Sequence, residues 1–134
     1  MAEPLVIILD PLEHKKWHLF ERWLRPVAEK GDQNWDDCLH KFRAGHTVLW
    51  NEGVNVLALD KAADGACVVW LGRGFDVRNW WNKAQTEVAR FALQNGCFKL
   101  RIEGRKGWKR ILQPHWTLIE ETDREVVLEL ELMG

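Results

Sequence analysis

The chain has 134 residues, a formal net charge of −1, and 46% hydrophobic and 29% charged residues. That is the length and composition of one globular domain, spanning residues 1–134. The near-neutral balance excludes a chain that binds nucleic acid or membranes by bulk charge, and no stretch approaches the roughly 18 apolar residues of a membrane span. Three cysteines, Cys38, Cys67 and Cys97, are odd in number and far apart. They fit a reducing, cytoplasmic setting with buried thiols. There are nine tryptophans, no tyrosine and no serine, which removes serine-hydrolase chemistry.

Residues Val6 to Leu9 read as a short strand. Asp10-Pro11 then reads as a helix start, with Asp as N-cap and Pro at the first helical position. Trp17, Phe20, Leu24 and Val27 recur at helical spacing and predict a helix from Leu12 to Lys30, ended or kinked near Pro26 and stopped by Gly31. Residues 32–34 cap a second helix, from about Trp35 to Ala44. Three strands follow, Thr47–Trp50, Val54–Leu59 and Ala66–Leu71, joined by turns that carry Gly53 and Gly65. Such turns predict antiparallel hairpins.

Gly72-Arg73-Gly74 breaks the pattern. The strongest helix runs from Val77 to Asn95, where Val77, Trp80, Trp81, Ala84, Val88, Phe91 and Ala92 form one stripe. The side chain of Asp76 is expected to cap it. Phe98, Leu100 and Ile102 alternate with Lys99, Arg101 and Glu103, a half-exposed strand. A short helix from Lys106 to Leu112 precedes Pro114, a strand covers Trp116–Glu120, and Val126–Leu132 alternates as the last strand. This order predicts an α+β domain with a central, mostly antiparallel mixed sheet of six to seven strands flanked by helices.

Charge is polarised along the last third. Lys99, Arg101, Arg105, Lys106, Lys109 and Arg110 face one acid, Glu103, and an acidic run follows from Glu120 to Glu131. Cross-strand pairing of Glu129 and Glu131 with Lys99 and Arg101 would neutralise part of it. Arg105, Lys106, Trp108, Lys109 and Arg110 are the candidate partner- or anion-binding set. Like charges four residues apart on a helix repel by about a few tenths of a kcal/mol unless an anion offsets them. His14 and His18 are four apart on the expected first helix, but with no third ligand nearby no metal is expected.

The element order resembles the GNAT acyltransferase superfamily over nearly the whole chain. ACVVWL is similar to the family's fourth strand, DVRNWWNKAQTEVARFALQNGC to its long cofactor-side helix, and FKLRIEG to the strand after it. GRKGWKRILQPHWTLIEE resembles the next short helix and the strand leading away. ARFALQNGC and IEGRKGWKRIL are also similar to small GNAT-like proteins encoded by tailed bacteriophages. The resemblance implies that acyl-CoA lays its pyrophosphate on the long helix's N-terminus and its pantetheine arm between the fourth and fifth strands. It then implies acetyl-CoA contacts at Leu71, Gly72, Arg73, Gly74, Val77 and Arg78.

Two departures oppose that site. The family's loop, Q/R-x-x-G-x-G/A, is replaced by LGRGFDVRNW, with Asp76 placed where the pyrophosphate would sit. No Tyr exists to protonate the leaving thiolate, which leaves Cys97 or His115 to substitute. The expectation is therefore a GNAT-like domain without acyltransferase activity or cofactor. It would act as a binding or structural component, such as a bacteriophage virion or host-interaction protein, with a virion protein or a second copy as partner. The alternative is an acyl-CoA-dependent N-acetyltransferase with a nonstandard cofactor loop. A second alternative is a nucleic-acid-associated accessory protein using the basic segment.

Overall fold

Alternating apolar residues in the second half of the chain, and apolar runs in the middle, build one seven-stranded sheet with helices on both faces. The computed structural model describes residues 7–74 and 76–132. In chain order these hold β1 (Ile7–Ile8), α1 (Trp17–Lys30), α2 (Trp35–Arg43), β2 (Val48–Glu52), β3 (Asn55–Lys61) and β4 (Ala66–Arg73). There follow α3 (Val77–Gln94), β5 (Lys99–Arg105), α4 (Gly107–Leu112), β6 (Thr117–Glu121) and β7 (Glu125–Glu131). The strand order is β1-β2-β3-β4-β5-β7-β6. Among the described residues only β4 and β5 run parallel, because α3 carries the chain from one to the next. The expected α+β class and mixed sheet are what the structure has.

Each face of the sheet has its own core. On one, α3 lays Trp80, Trp81, Ala84, Val88 and Ala92 over residues such as Leu57, Val69, Leu100 and Ile102, and α4 joins them. On the other, α1 and α2 lay Phe20, Leu24, Ala28, Cys38 and Phe42 over Val56, Val68 and Trp70. Trp35, Trp50, Trp70, Trp80, Trp81 and Trp116 are all buried, so most tryptophans fill these cores rather than a surface. Their N–H groups are largely satisfied: Trp50 donates to Glu87 at 2.9 Å, and Trp81 and Trp116 share Gln85 Oε1 at 3.0 and 3.2 Å.

The start of the chain departs from the expected reading, and Val6 lies outside the described residues. Asp10 makes no capping hydrogen bond, and Pro11–Glu13 forms a single 3₁₀ turn. The α-helix begins only at Trp17 and continues through Pro26, whose ring lies on the exposed side. His14 therefore precedes the helix, where its Nδ1 accepts from the Lys16 N–H at 3.0 Å. His14 and His18 do not share a helical face, and no cluster of three metal-ligating groups occurs among the described residues. Asn34 caps α2 as expected, accepting from the Asp36 N–H at 2.8 Å.

The cross-strand neutralisation is present. Lys99 lies opposite Glu131 and Arg101 opposite Glu129. Arg101 reaches Glu129 at 2.7 Å and also pairs with Asp64, while Lys99 lies 3.5 Å from Asp64 and 3.6 Å from Glu129. The hydrogen bond from Arg101 holds the Asp64 carboxyl below its ordinary value of 3.8. A carboxyl depressed on folding stabilises the fold above its unfolded pKa and loses that contribution as pH falls through the lower folded value. Asp64→Asn is thus expected to flatten the loss of stability below about pH 4 in urea midpoints measured from pH 2 to 6, with little change near neutrality.

Candidate functional site

The parallel pair β4–β5 is registered from Ala66 opposite Lys99 to Val69 opposite Ile102. Beyond that point β4 continues to Arg73 along β3, and β5 continues to Arg105 along β7. The two strands part, and a wedge opens between them. A bulge marks the parting: Leu59 faces Val69 and Ala58 faces Leu71, so Trp70 is an extra residue in β4. Bulges leave one residue outside the ladder and increase local twist, which turns the end of β4 away from β5.

Glycine keeps the wedge narrow and deep. A Cβ on Gly72 would meet the Leu57 side chain at 2.8 Å and lie 3.5 Å from the Trp108 indole, and one on Gly104 would lie 3.0 Å from that indole. The ring therefore bridges the two strands from the α4 side, packed edge-on against Trp81 with centroids 5.1 Å apart. A Cβ on Gly74 would meet Trp80 at 2.7 Å, so only glycine lets the end of β4 pass under α3. A cavity of about 290 Å³ remains at the open end, lined by Gly72, Arg73, Gly74, Val77, Arg105 and Trp108, with Trp80 and Gly107.

The expected capping of α3 by Asp76 does not occur. Asp76 has φ 51°, in the left-handed region, and its side chain makes no capping hydrogen bond. N-cap side chains reach back to the first turn from extended backbone, and this residue is not extended. Its carboxylate instead accepts from the Asn79 side-chain amide, and its carbonyl accepts the Asn79 N–H at 2.9 Å. Among the described residues the first-turn N–H groups of α3 have no capping side chain, and they lie close to the cavity that Val77 lines. Of the expected cofactor set, Gly72, Arg73, Gly74 and Val77 come together at the cavity; Leu71 lies in β4 beside the bulge, and Arg78 is the second residue of α3.

The expected basic set is divided. Arg105 ends β5 rather than joining a helix, so it does not stack four residues from Lys109 on one face. Arg105 and Trp108 line the cavity. Lys106 and Lys109 both pair with Glu121, at 3.6 and 3.0 Å, and Lys109 holds the Glu121 carboxyl below its ordinary range. Arg110 is exposed on α4. Glu103, one residue beyond the last β4–β5 pair and exposed, escaped the sequence reading because nothing in it marked where the strands part.

Neither substitute for the missing tyrosine stands at the wedge. His115 is exposed beyond α4 and outside the cavity lining. Cys97 precedes β5 at the other end of the sheet, in a wider groove of about 920 Å³ with Asp60, Lys61, Phe91 and Asn95. Burial raises the thiols of Cys38 and Cys97, and burial with the neighbouring Cys97 raises Cys67 to about 12. All three are neutral and covered at pH 8. Ellman's reagent is expected to find no fast-reacting thiol in the native protein and all three after denaturation; a fast native thiol would contradict this burial.

No protein-family model and no curated protein matches the sequence. Solved structures do match. N-acetylglutamate synthase from Neisseria gonorrhoeae, complexed with coenzyme A and N-acetyl-glutamate, superposes with a TM-score of 0.67 over 99% of this chain, at 11% identity. The chain spans 37% of that protein's length. Campylobacter jejuni N-acetyltransferase PseH, in complex with acetyl coenzyme A, gives 0.55 at 11% identity, covering 95% of this chain and 99% of that one. A GNAT-family acetyltransferase from Listeria monocytogenes gives 0.50 at 12% identity over 94% of each chain. At such identities the likeness carries the fold and nothing finer.

Proposed function

The chain has the GNAT N-acetyltransferase fold, and from that premise we propose that it is an acyl-CoA-dependent N-acyltransferase. The observation that carries this reading is the parting of β4 and β5 after Val69 and Ile102, beside an α3 N-terminus whose N-cap residue, Asp76, makes no side-chain cap. Such a terminus attracts phosphate through free N–H groups and the helix dipole. The backbone from Leu71 to Gly74, with Val77 and Arg78, would hold coenzyme A. Acyl-CoA supplies an acyl group activated on sulfur; transfer to an amine forms the C–N bond, breaks the C–S bond and leaves the amine's proton on sulfur or in water.

The chain's own groups fit the remaining roles. The bulge at Trp70 takes a backbone N–H out of the β3 ladder at the head of the wedge, where it can polarise a carbonyl. Glu103 stands on β5 one residue past the parting and is exposed to accept a proton from an incoming amine. No phenol is required if the amine's own proton reaches the sulfur.

One observation favours a second reading, a GNAT-fold binding or structural piece that transfers nothing. The Trp108 indole bridges Gly72 and Gly104, across the path the pantetheine arm would take. The virion and host-interaction roles expected from the sequence find no support in the comparisons.

Thermal melts with coenzyme A separate the two. A ligand at a hundred times its Kd stabilises the fold by about 2.7 kcal/mol, a rise of several degrees for a chain of this size. The rise is expected for the wild type and is expected to disappear in Gly72→Val, which fills the wedge. An unmoved melting point at millimolar coenzyme A would remove the acyl-transfer reading and leave the second. Glu103→Gln is expected to keep the melting shift while lowering kcat by about a hundredfold.

A further inference from the structure

Resting on the acyl-transfer reading, we infer that the acceptor is an amine of amino-acid size that also carries a carboxylate, recognised by Arg73 and Arg105 on the α1 side of the wedge. Alternation along the two strands separates the groups. Past the bulge, Gly72 faces α4, where Trp108 lies, and Arg73 faces α1, its guanidinium 5.9 Å from the Trp23 ring. On β5, Ile102 and Gly104 face α3 and α4. Arg105 faces α1, donating to the Lys30 carbonyl at 3.4 Å, and Glu103 shares its face two residues earlier. The glycine-lined side, which the Trp108 indole spans, is the one a thioester arm would take. The charged side is left for the acceptor.

What sets these two arginines apart is that both line one cavity without an ion pair. Lys99, Arg101, Lys106, Lys109 and Arg124 each pair with a carboxylate. Arg73 and Arg105 have no carboxylate partner among the described residues, yet they line one cavity. Their mutual repulsion is relieved by an anion, and a guanidinium fork matches a carboxylate with two parallel hydrogen bonds. Glu103 and Arg105 lie two residues apart on one face of a strand, a spacing of about 7 Å. A proton-losing amine at Glu103 and an anion at Arg105 then belong to one small molecule. A polyamine has no group to offer the arginines.

The test measures kcat and KM for L-amino acids, the matching amino-acid amides and spermidine, together with the acetyl-CoA Kd by calorimetry. The variants are Arg73→Ala, Arg105→Ala and Arg105→Lys, each checked by its melting point. The wild type is expected to prefer the acids over their amides. Each alanine variant is expected to shrink that preference by about tenfold through KM, with partial recovery in Arg105→Lys and an acetyl-CoA Kd changed by less than about twofold. Equal use of acids and amides by the wild type would overturn the inference. So would alanine variants that weaken acetyl-CoA and spare the acceptor, since the arginines would then serve its phosphates. A wild type that does not bind acetyl-CoA removes the acyl-transfer reading itself, and this inference with it.

Discussion

Two neighbouring strands that start as a parallel pair and then separate set the terms for the whole molecule. From Ala66 to Val69, β4 is held to β5. From there each strand is held by a different neighbour, β4 by β3 and β5 by β7. Backbone groups facing the gap no longer have a strand to pair with, and such groups need another partner. The sheet therefore carries an opening in its middle rather than at an edge. The helices that follow the two strands, α3 and α4, begin at its rim. Site and fold are in this sense the same feature.

Electrostatics at the rim support an anionic guest. The carboxylate of the acidic residue before α3 is committed to the Asn79 side chain, and with its backbone left-handed it makes no side-chain cap to the first-turn N–H groups. A carboxylate near a helix N-terminus still favours that end, but it does not fill the donors unless it bonds to them. Four nearby cations are neutralised, Lys106 and Lys109 by Glu121 and Lys99 and Arg101 by Glu129. Arg73 and Arg105 are the cations at the cavity. Against this stands the Trp108 ring, which makes the wedge tight and ties occupancy to whether that indole can yield.

Much of this was legible in the sequence wherever periodicity was strong. The stripe from Val77 to Ala92 and the alternation around Leu100 and Leu128 located α3, β5 and β7, because a buried face imposes its period on the residues beneath it. Charges at 99, 101, 129 and 131, taken with the strand order of the resembling family, pointed to the β5–β7 pairing, since opposite charges meet across strands. The start of α1 was not legible, because Asp10-Pro11 suits a single turn as well as a long helix. Asp76 misled for a related reason: residue type suggests a cap, but capping depends on φ and on a competing donor three residues away. Trp108 sat among cations in sequence yet points inward, as its closeness to Gly72 and Gly104 shows. The bulge at Trp70, which makes the site, left no mark in the sequence at all.

The central claim is that the wedge between β4 and β5 receives coenzyme A. Its most direct test is the two-dimensional amide spectrum of the labelled protein titrated with coenzyme A. Saturable shifts are expected at residues 70–74, 77–80 and 104–108, with Asp60, Lys61, Asn95 and Cys97 in the far groove unmoved. Unmoved amides along the wedge, or shifts confined to that far groove, would contradict it.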